Sequence, residues 1–396
     1  MFPSVPAMSI LDMLPGTTGR GSTQRESEVL LTLVASGLVG LSSWQGEVNL
    51  RRPYDDRLQL GLDRLAVACA RTDSSTLPTG IADLVWEWCA TKPMRDWPLV
   101  FDPDAEADGE LLLVDGEPSE FCREWVRATP DVVGDVHESA LVRQVKDVAK
   151  ALGRPELYAH WRLELTRNTL LSPAELIRLK NRFLDAAPWA EWIDESYEPV
   201  PSEGMVDGQI AVCRGCRQWM TAERDASWKC PSWRCAQGRF ADDPEFRSAQ
   251  GAFRLRAELV RYIALPGLPE LELAEALARL GARVVLYPGL DALDVVAIWP
   301  SGFAIGVDVK DWRNPYLLAR SIKRFPEWTG AHPYAYSQGY IAVPTDRTRG
   351  KDRYLRILGR HSSALSTQPQ LQAVTIDELI SRCPDEGVRG EVTCGP

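Results

Sequence analysis

DVVAIWPSGFAIGVDVK, running from Asp294 to Lys310, decides how the C-terminal part of the chain folds. Apolar, β-branched residues on either side of a short Pro-Ser-Gly turn predict two strands of a hairpin. Side chains alternate along a strand, so Asp308 and Lys310 share a face that Val307 and Val309 do not. A three-residue loop at Pro300–Gly302 pairs Trp299 with Phe303 and sets Asp294 opposite Asp308. Two carboxylates and an ammonium then share one patch of an otherwise buried hairpin.

Carboxylates that close repel unless a cation sits between them, and paired oxygen ligands with spare water positions suit Mg²⁺. Mn²⁺ is the alternative ion. Upstream, FRLRAELVRYIAL predicts a helix over 250–264, with Glu258 inside the stripe of Leu255, Leu259 and Tyr262, so that a third carboxylate faces inward. A helix follows over 269–280, then the strand RVVLYP, the hairpin, a helix near Tyr316–Phe325, the strand GYIAVP, and a last strand and helix in QAVTIDELISRC. This order and these acids resemble the PD-(D/E)xK, restriction-endonuclease-like nucleases over roughly residues 250–382, although Leu293 stands where a proline often precedes the first acid. The resemblance implies a mixed central sheet and a Mg²⁺-dependent endonuclease. Asp294, Asp308 and the Val309 carbonyl would hold the metal, Lys310 would position the attacking water, and Glu258 would orient that water or hold a second ion.

At 396 residues the chain has room for two or three cores, and its net charge of −10 excludes a polycation that coats nucleic acid indiscriminately. Contact with DNA, or with RNA, which stays open, must be local. Residues 311–360 supply it: ten Lys/Arg stand against four Asp/Glu there, and Arg313, Lys323, Arg324, Arg347, Arg349 and Lys351 are the candidate phosphate contacts. The apolar run VLLTLVASGLVGL is too short to span a bilayer, and unpaired cysteines (Cys69, Cys89, Cys122, Cys383, Cys394) suit a reducing cytoplasm.

Residues 1–25 are expected to be a disordered tail and 26–200 a helical, Trp-rich domain in which Trp86, Trp88 and Trp97 anchor the core, with ligand stacking as the alternative. Ser172-Pro173 predicts a cap and a first-turn proline. Residues 205–242 hold Cys213, Cys216, Cys230 and Cys235 as C-x₂-C-x₁₃-C-x₄-C, the spacing of a structural Zn²⁺ ribbon. Arg214, Arg217, Trp219, Lys229, Trp233, Arg234 and Arg239 decorate it, either to grip nucleic acid or to supplement a tiny core. The nuclease-like domain is expected over 246–385 and a tail over 386–396.

The fold class is therefore multidomain α and α/β: helical N-terminal region, zinc-ribbon insert, and C-terminal α/β domain. This layout also resembles the nuclease encoded beside a PIWI-RE protein and a DinG-like helicase in bacterial defence islands. That resemblance implies restriction of foreign DNA, with a PIWI-like protein and a helicase as partners. A repair or recombination nuclease, or a non-cleaving nucleic-acid-binding scaffold subunit, fits the same residues.

Overall fold

A computed structural model of the chain describes residues 23–42, 48–50, 54–72, 76–129, 140–202, 205–222, 228–230, 232, 235, 244–322, 324–385, 387 and 390–395. The chain divides into two units between residues 129 and 130. The expected helical domain thus ends early, and its helices beyond 139 belong with the C-terminal unit. The tail expected over 1–25 lies outside the described residues up to 22, and Thr23 already opens a helix.

In the first unit, α1 (Gln24–Leu41) starts on a capping box in which Thr23 and Glu26 satisfy each other's backbone N–H groups. Its Leu30, Leu31, Val34 and Leu38 are buried. Asp55 caps α2 (Asp56–Arg71) and Ser119 caps α3 (Glu120–Ala128), whose Trp125 indole donates to Thr32 Oγ1 at 3.0 Å. Trp88 and Trp97 anchor this core edge to face, their centroids 5.4 Å apart. Trp86, expected beside them, is exposed.

The second unit begins with α4 (Ala140–Ala151) and α5 (Pro155–Arg167). They pack on a core built around Trp161, Trp189 and Trp192. The helix Pro173–Lys180 opens with Ser172 as cap and Pro173 in its first turn, as the sequence predicts. Phe253–Leu255, expected in a helix, is instead the middle strand of a small sheet between Leu170–Leu171 and Tyr197–Pro199. Helix therefore starts only at Ala257, runs through a π-helical turn at Val260–Ala264, and continues as α6 (Leu265–Arg279).

The main sheet has six strands, β1 (Arg283–Leu286), β2 (Val295–Ile298), β3 (Ala304–Val309), β4 (Gln338–Val343), β5 (Leu371–Thr375) and β6 (Val392–Cys394), in the order β5-β4-β3-β2-β1-β6. β1, β2 and β3 form an antiparallel meander; β4 and β5 continue it in parallel, and β6 runs parallel to β1. β6 replaces part of the tail expected over 386–396. Leu273, Ala274 and Leu277 of α6 cover one face, against Val284, Leu286, Val295, Ala297, Ile305 and Val307. Each fully buried leucine contributes about 1.5–3 kcal/mol there. On the other face Gly306 and Gly339 lie side by side in register, beneath the rings of Tyr336 and Phe325. A Cβ at either glycine would come within 2.7 Å of its ring, so the aromatic segment before β4 can lie flat on the sheet only over glycine.

Candidate active site

The hairpin β2–β3 has the register its sequence predicts. Trp299 N–H donates to the Phe303 carbonyl at 2.9 Å, Gly302 N–H closes the turn on Trp299, and Val295 pairs with Val307. Gly302 sits at φ +85°, a left-handed turn conformation open to glycine without strain. One step beyond the ladder Asp294 faces Asp308, with Asp294 N–H on the Val307 carbonyl at 3.1 Å. Asp294 Oδ2 accepts from Val309 N–H at 2.6 Å, which ties the first acid to the strand that carries the second. Lys310 Nζ pairs with Asp308, and Lys310 N–H donates to the Ala342 carbonyl at 2.8 Å, anchoring the strand end to β4.

Burial, then the neighbouring Asp308 carboxylate, push the Asp294 carboxyl up to about 6, while Lys310 and Arg162 pull it back. Burial works against the Lys310 ammonium, but Asp308 and Asp294 outweigh it and hold the group above the usual lysine range. Lys310 is therefore a cation at neutral pH.

The inward-facing acid is not the expected one. Glu258 is exposed, because the strand Phe253–Leu255 delays the helix and turns Leu259 and Ile263, rather than Glu258, inward. Glu270 of α6 takes the inward position, 2% exposed. It continues the buried stripe of Leu273, Ala274 and Leu277, while Glu272 and Glu275 of the same helix face solvent. That stripe, three and four residues apart, was the available sequence signal for Glu270.

A second residue absent from the sequence reading joins the acids. Arg162 of α5, 7% exposed, places Nη2 2.6 Å from Glu270 Oε1 and 3.5 Å from Asp294 Oδ1, while Nη1 pairs with Asp291. Its guanidinium lies over the Tyr287 ring, 4.4 Å from the centroid. Asp291 Oδ2 also accepts from the Tyr158 hydroxyl at 2.9 Å, and Lys146 Nζ stands 3.9 Å away. Burial drives the Glu270 carboxyl well above its ordinary range, Arg162 opposing and Asp294 and Asp291 reinforcing. Glu270 Oε2 and Asp291 Oδ1 are buried without a well-formed hydrogen bond among the described residues. Buried carboxylate oxygens with unused lone pairs are the donor set of a hard divalent cation.

The basic segment is less uniform than its composition. Arg313, Arg324 and Arg349 are exposed, Arg349 with Asp346 at 3.0 Å, and Lys351 Nζ donates to the Arg313 carbonyl at 2.7 Å. Arg347 is buried on Asp311, the residue after Lys310, so it holds the protein together rather than meeting solvent. Lys323 lies outside the described residues.

In the cysteine insert, Cys213, Cys216, Cys230 and Cys235 bring their sulfurs within 4.8 Å of one another, all buried and none in a disulfide. Zn–S bonds of about 2.3 Å give a tetrahedron with edges of about 3.8 Å, so this set fits a four-thiolate zinc site. Around it, Arg214, Arg217 and Lys229 are exposed, with Arg217 3.2 Å from Glu245. Trp219 has the Arg254 guanidinium on its face at 4.4 Å, which favours the core-supplementing reading for that ring. Trp233, Arg234 and Arg239 lie outside the described residues. Among the described residues no helix is long and apolar enough to cross a membrane.

Two family models match the chain: domain Y of the pPIWI_RE three-gene island over residues 30–172, and the REase associating with pPIWI_RE over residues 267–387. No curated protein and no solved structure matches it. The second match takes in Glu270, all of the β2–β3 hairpin and β4 and β5; the first runs beyond residue 129 into the second unit and includes Arg162. Together they span two thirds of the residues, and the chain is a restriction-endonuclease-like protein of the PIWI-RE three-gene island.

Proposed function

We propose that the C-terminal domain is a metal-dependent endonuclease that hydrolyses phosphodiester bonds in DNA. The observation that carries this reading is the pair Asp294 and Asp308, set face to face by the hairpin register and tied through Val309 N–H, with Lys310 beside them. Asp294, Asp308 and the Val309 carbonyl would hold Mg²⁺ or Mn²⁺, with Glu270 in the third-acid position, and the ion would supply a water of lowered pKa and Lewis acidity at the phosphate. Lys310, kept charged by its two carboxylates, orients the attacking water and faces the negative charge that develops on phosphorus oxygens. The water oxygen forms the new bond to phosphorus, the bond to the leaving sugar oxygen breaks, and the water's proton passes to solvent. Exposed Arg313, Arg324 and Arg349, with Lys351, supply the phosphate contacts that an acidic protein otherwise lacks.

The island context supports foreign DNA as the substrate, and a PIWI-like protein and a helicase as partners. Purified protein with Mg²⁺ is expected to cut plasmid DNA, with single-stranded DNA and RNA run alongside. Asp308→Ala and Lys310→Ala should each lower cleavage by about 10³-fold or more while DNA binding persists. Cleavage at the wild-type rate by either variant overturns the assignment.

A further inference from the structure

We infer that Arg162, on a helix outside the nuclease-family match, is a positioning residue that holds the acids of the cleavage site in their working arrangement. The inference rests on the nuclease reading above and concerns how its site is assembled.

The guanidinium is the hub of a buried network. One nitrogen spans Glu270 and Asp294, the other takes Asp291, and the flat face covers Tyr287. Tyr287, Gly289, Leu290 and Asp291 all have left-handed backbone, with φ of 55°, 66°, 57° and 72°. For Tyr287, Leu290 and Asp291 that conformation is strained, and it persists only where surroundings over-determine it. The surroundings are specific: Arg162, Tyr158 and Lys146, all from α4 and α5, converge on Asp291. Three residues after this clamped turn comes Asp294.

A planar fork that reaches three carboxylates at fixed angles cannot be replaced by a point charge. Arg162 therefore fixes where Glu270 and Asp294 sit relative to each other before any ion binds. It also makes the site depend on α5, which lies within the domain Y match rather than the REase match. The nuclease centre is assembled across the boundary between the two matched families.

The test uses the full chain and two near-isosteric variants, Arg162→Lys and Asp291→Asn, with Asp308→Ala as reference. Mg²⁺ binding is measured by calorimetry and plasmid cleavage in single turnover, with metal-free melting temperature and duplex affinity as controls. Arg162→Lys should fold, bind DNA as wild type does, bind Mg²⁺ about tenfold more weakly and cleave 10–100-fold more slowly, the usual range for a residue that orients metal ligands. Asp291→Asn should weaken Mg²⁺ binding in the same direction and by less, and it decides the matter should Arg162→Lys not fold. Wild-type Mg²⁺ affinity in the folded variants overturns the positioning role. If those variants match wild type while Asp308→Ala has lost both metal and cleavage, positioning alone fails. If wild type itself neither binds Mg²⁺ nor cleaves, the nuclease reading fails and the positioning role falls with it.

Discussion

The cysteine insert and the hairpin β2–β3 each crowd ionisable side chains together, and the two clusters are built differently. In the cysteine insert four buried cysteine sulfurs lie within 4.8 Å of one another. Around the hairpin every carboxylate near the Asp-x-Lys strand already has a cation: Asp308 has Lys310, Asp311 has Arg347, and Glu270, Asp291 and Asp294 share Arg162. Thiols are neutral when protonated and can be packed together without a counter-charge; they ionise when the metal arrives. Carboxylates near neutral pH repel at such distances unless cations are built in. A site that only holds structure can leave all its compensation to the ion, whereas a site meant to exchange metal, water and phosphate must stay assembled between turnovers.

The largest effect on the cysteine side is expected at Cys230. Its sulfur stands 3.3 Å from that of Cys216 in a small cluster whose core is mostly the cysteines themselves. Zinc binding to such sites is worth on the order of 10 kcal/mol of folding free energy. Wild type is therefore expected to carry one equivalent of zinc by elemental analysis, and Cys230→Ser to lose it and to open residues 205–248 to proteolysis, with the thermal Mg²⁺ response expected of the hairpin unchanged. Folded wild-type protein with no zinc would end the structural-zinc reading.

The acid side has its own large effect, at Arg347. Removing one partner of a buried ion pair leaves the other charge uncompensated, at a cost of about 3–5 kcal/mol. Arg347→Ala should lower the melting temperature by several degrees through Asp311 and leave the salt dependence of DNA binding unchanged. Arg349→Ala with Lys351→Ala should do the reverse, flattening the plot of log affinity against log salt by roughly 0.9 for each phosphate that the protein no longer neutralises. A flattened slope with an unchanged melting temperature in Arg347→Ala would return that residue to the DNA-binding surface.

What the sequence made legible divides along similar lines. The hairpin register followed from period-two alternation and one short turn, and the cysteine cluster from spacing alone; both are local. Arg162 was not legible, because 132 residues separate it from Asp294 and a lone arginine in an amphipathic helix carries no mark of its partners. The apolar residues of Phe253–Leu255 fit the period of a helix as well as that of a strand, and only pairing with Leu170–Leu171 and Tyr197–Pro199 decides between them. The same non-local pairing hid β6, whose partner β1 lies about a hundred residues upstream.

The finest comparison sets two glutamates against each other, Glu270 inside and Glu258 outside. Glu270 has a folded-state pKa raised above its unfolded value, so it contributes stability while protonated, and that contribution is lost as pH rises through the folded pKa. The buried Asp294, up to about 6, acts in the same direction between roughly pH 4 and 6. Glu270→Gln, which cannot ionise, should therefore gain melting temperature relative to metal-free wild type as pH rises toward neutral, and melt at or above wild type near pH 7. Added Mg²⁺ should raise the wild-type melting temperature more than the variant's, because a ligand bound only by the folded state stabilises it by mass action. Cleavage by Glu270→Gln should drop by about 10²-fold. Glu258→Gln, at an exposed position, should stay within about 0.5 kcal/mol in stability and keep the wild-type rate and Mg²⁺ response. If Glu258→Gln loses cleavage and Glu270→Gln does not, the third acid of the site is the exposed one. The buried stripe of α6 would then be packing alone.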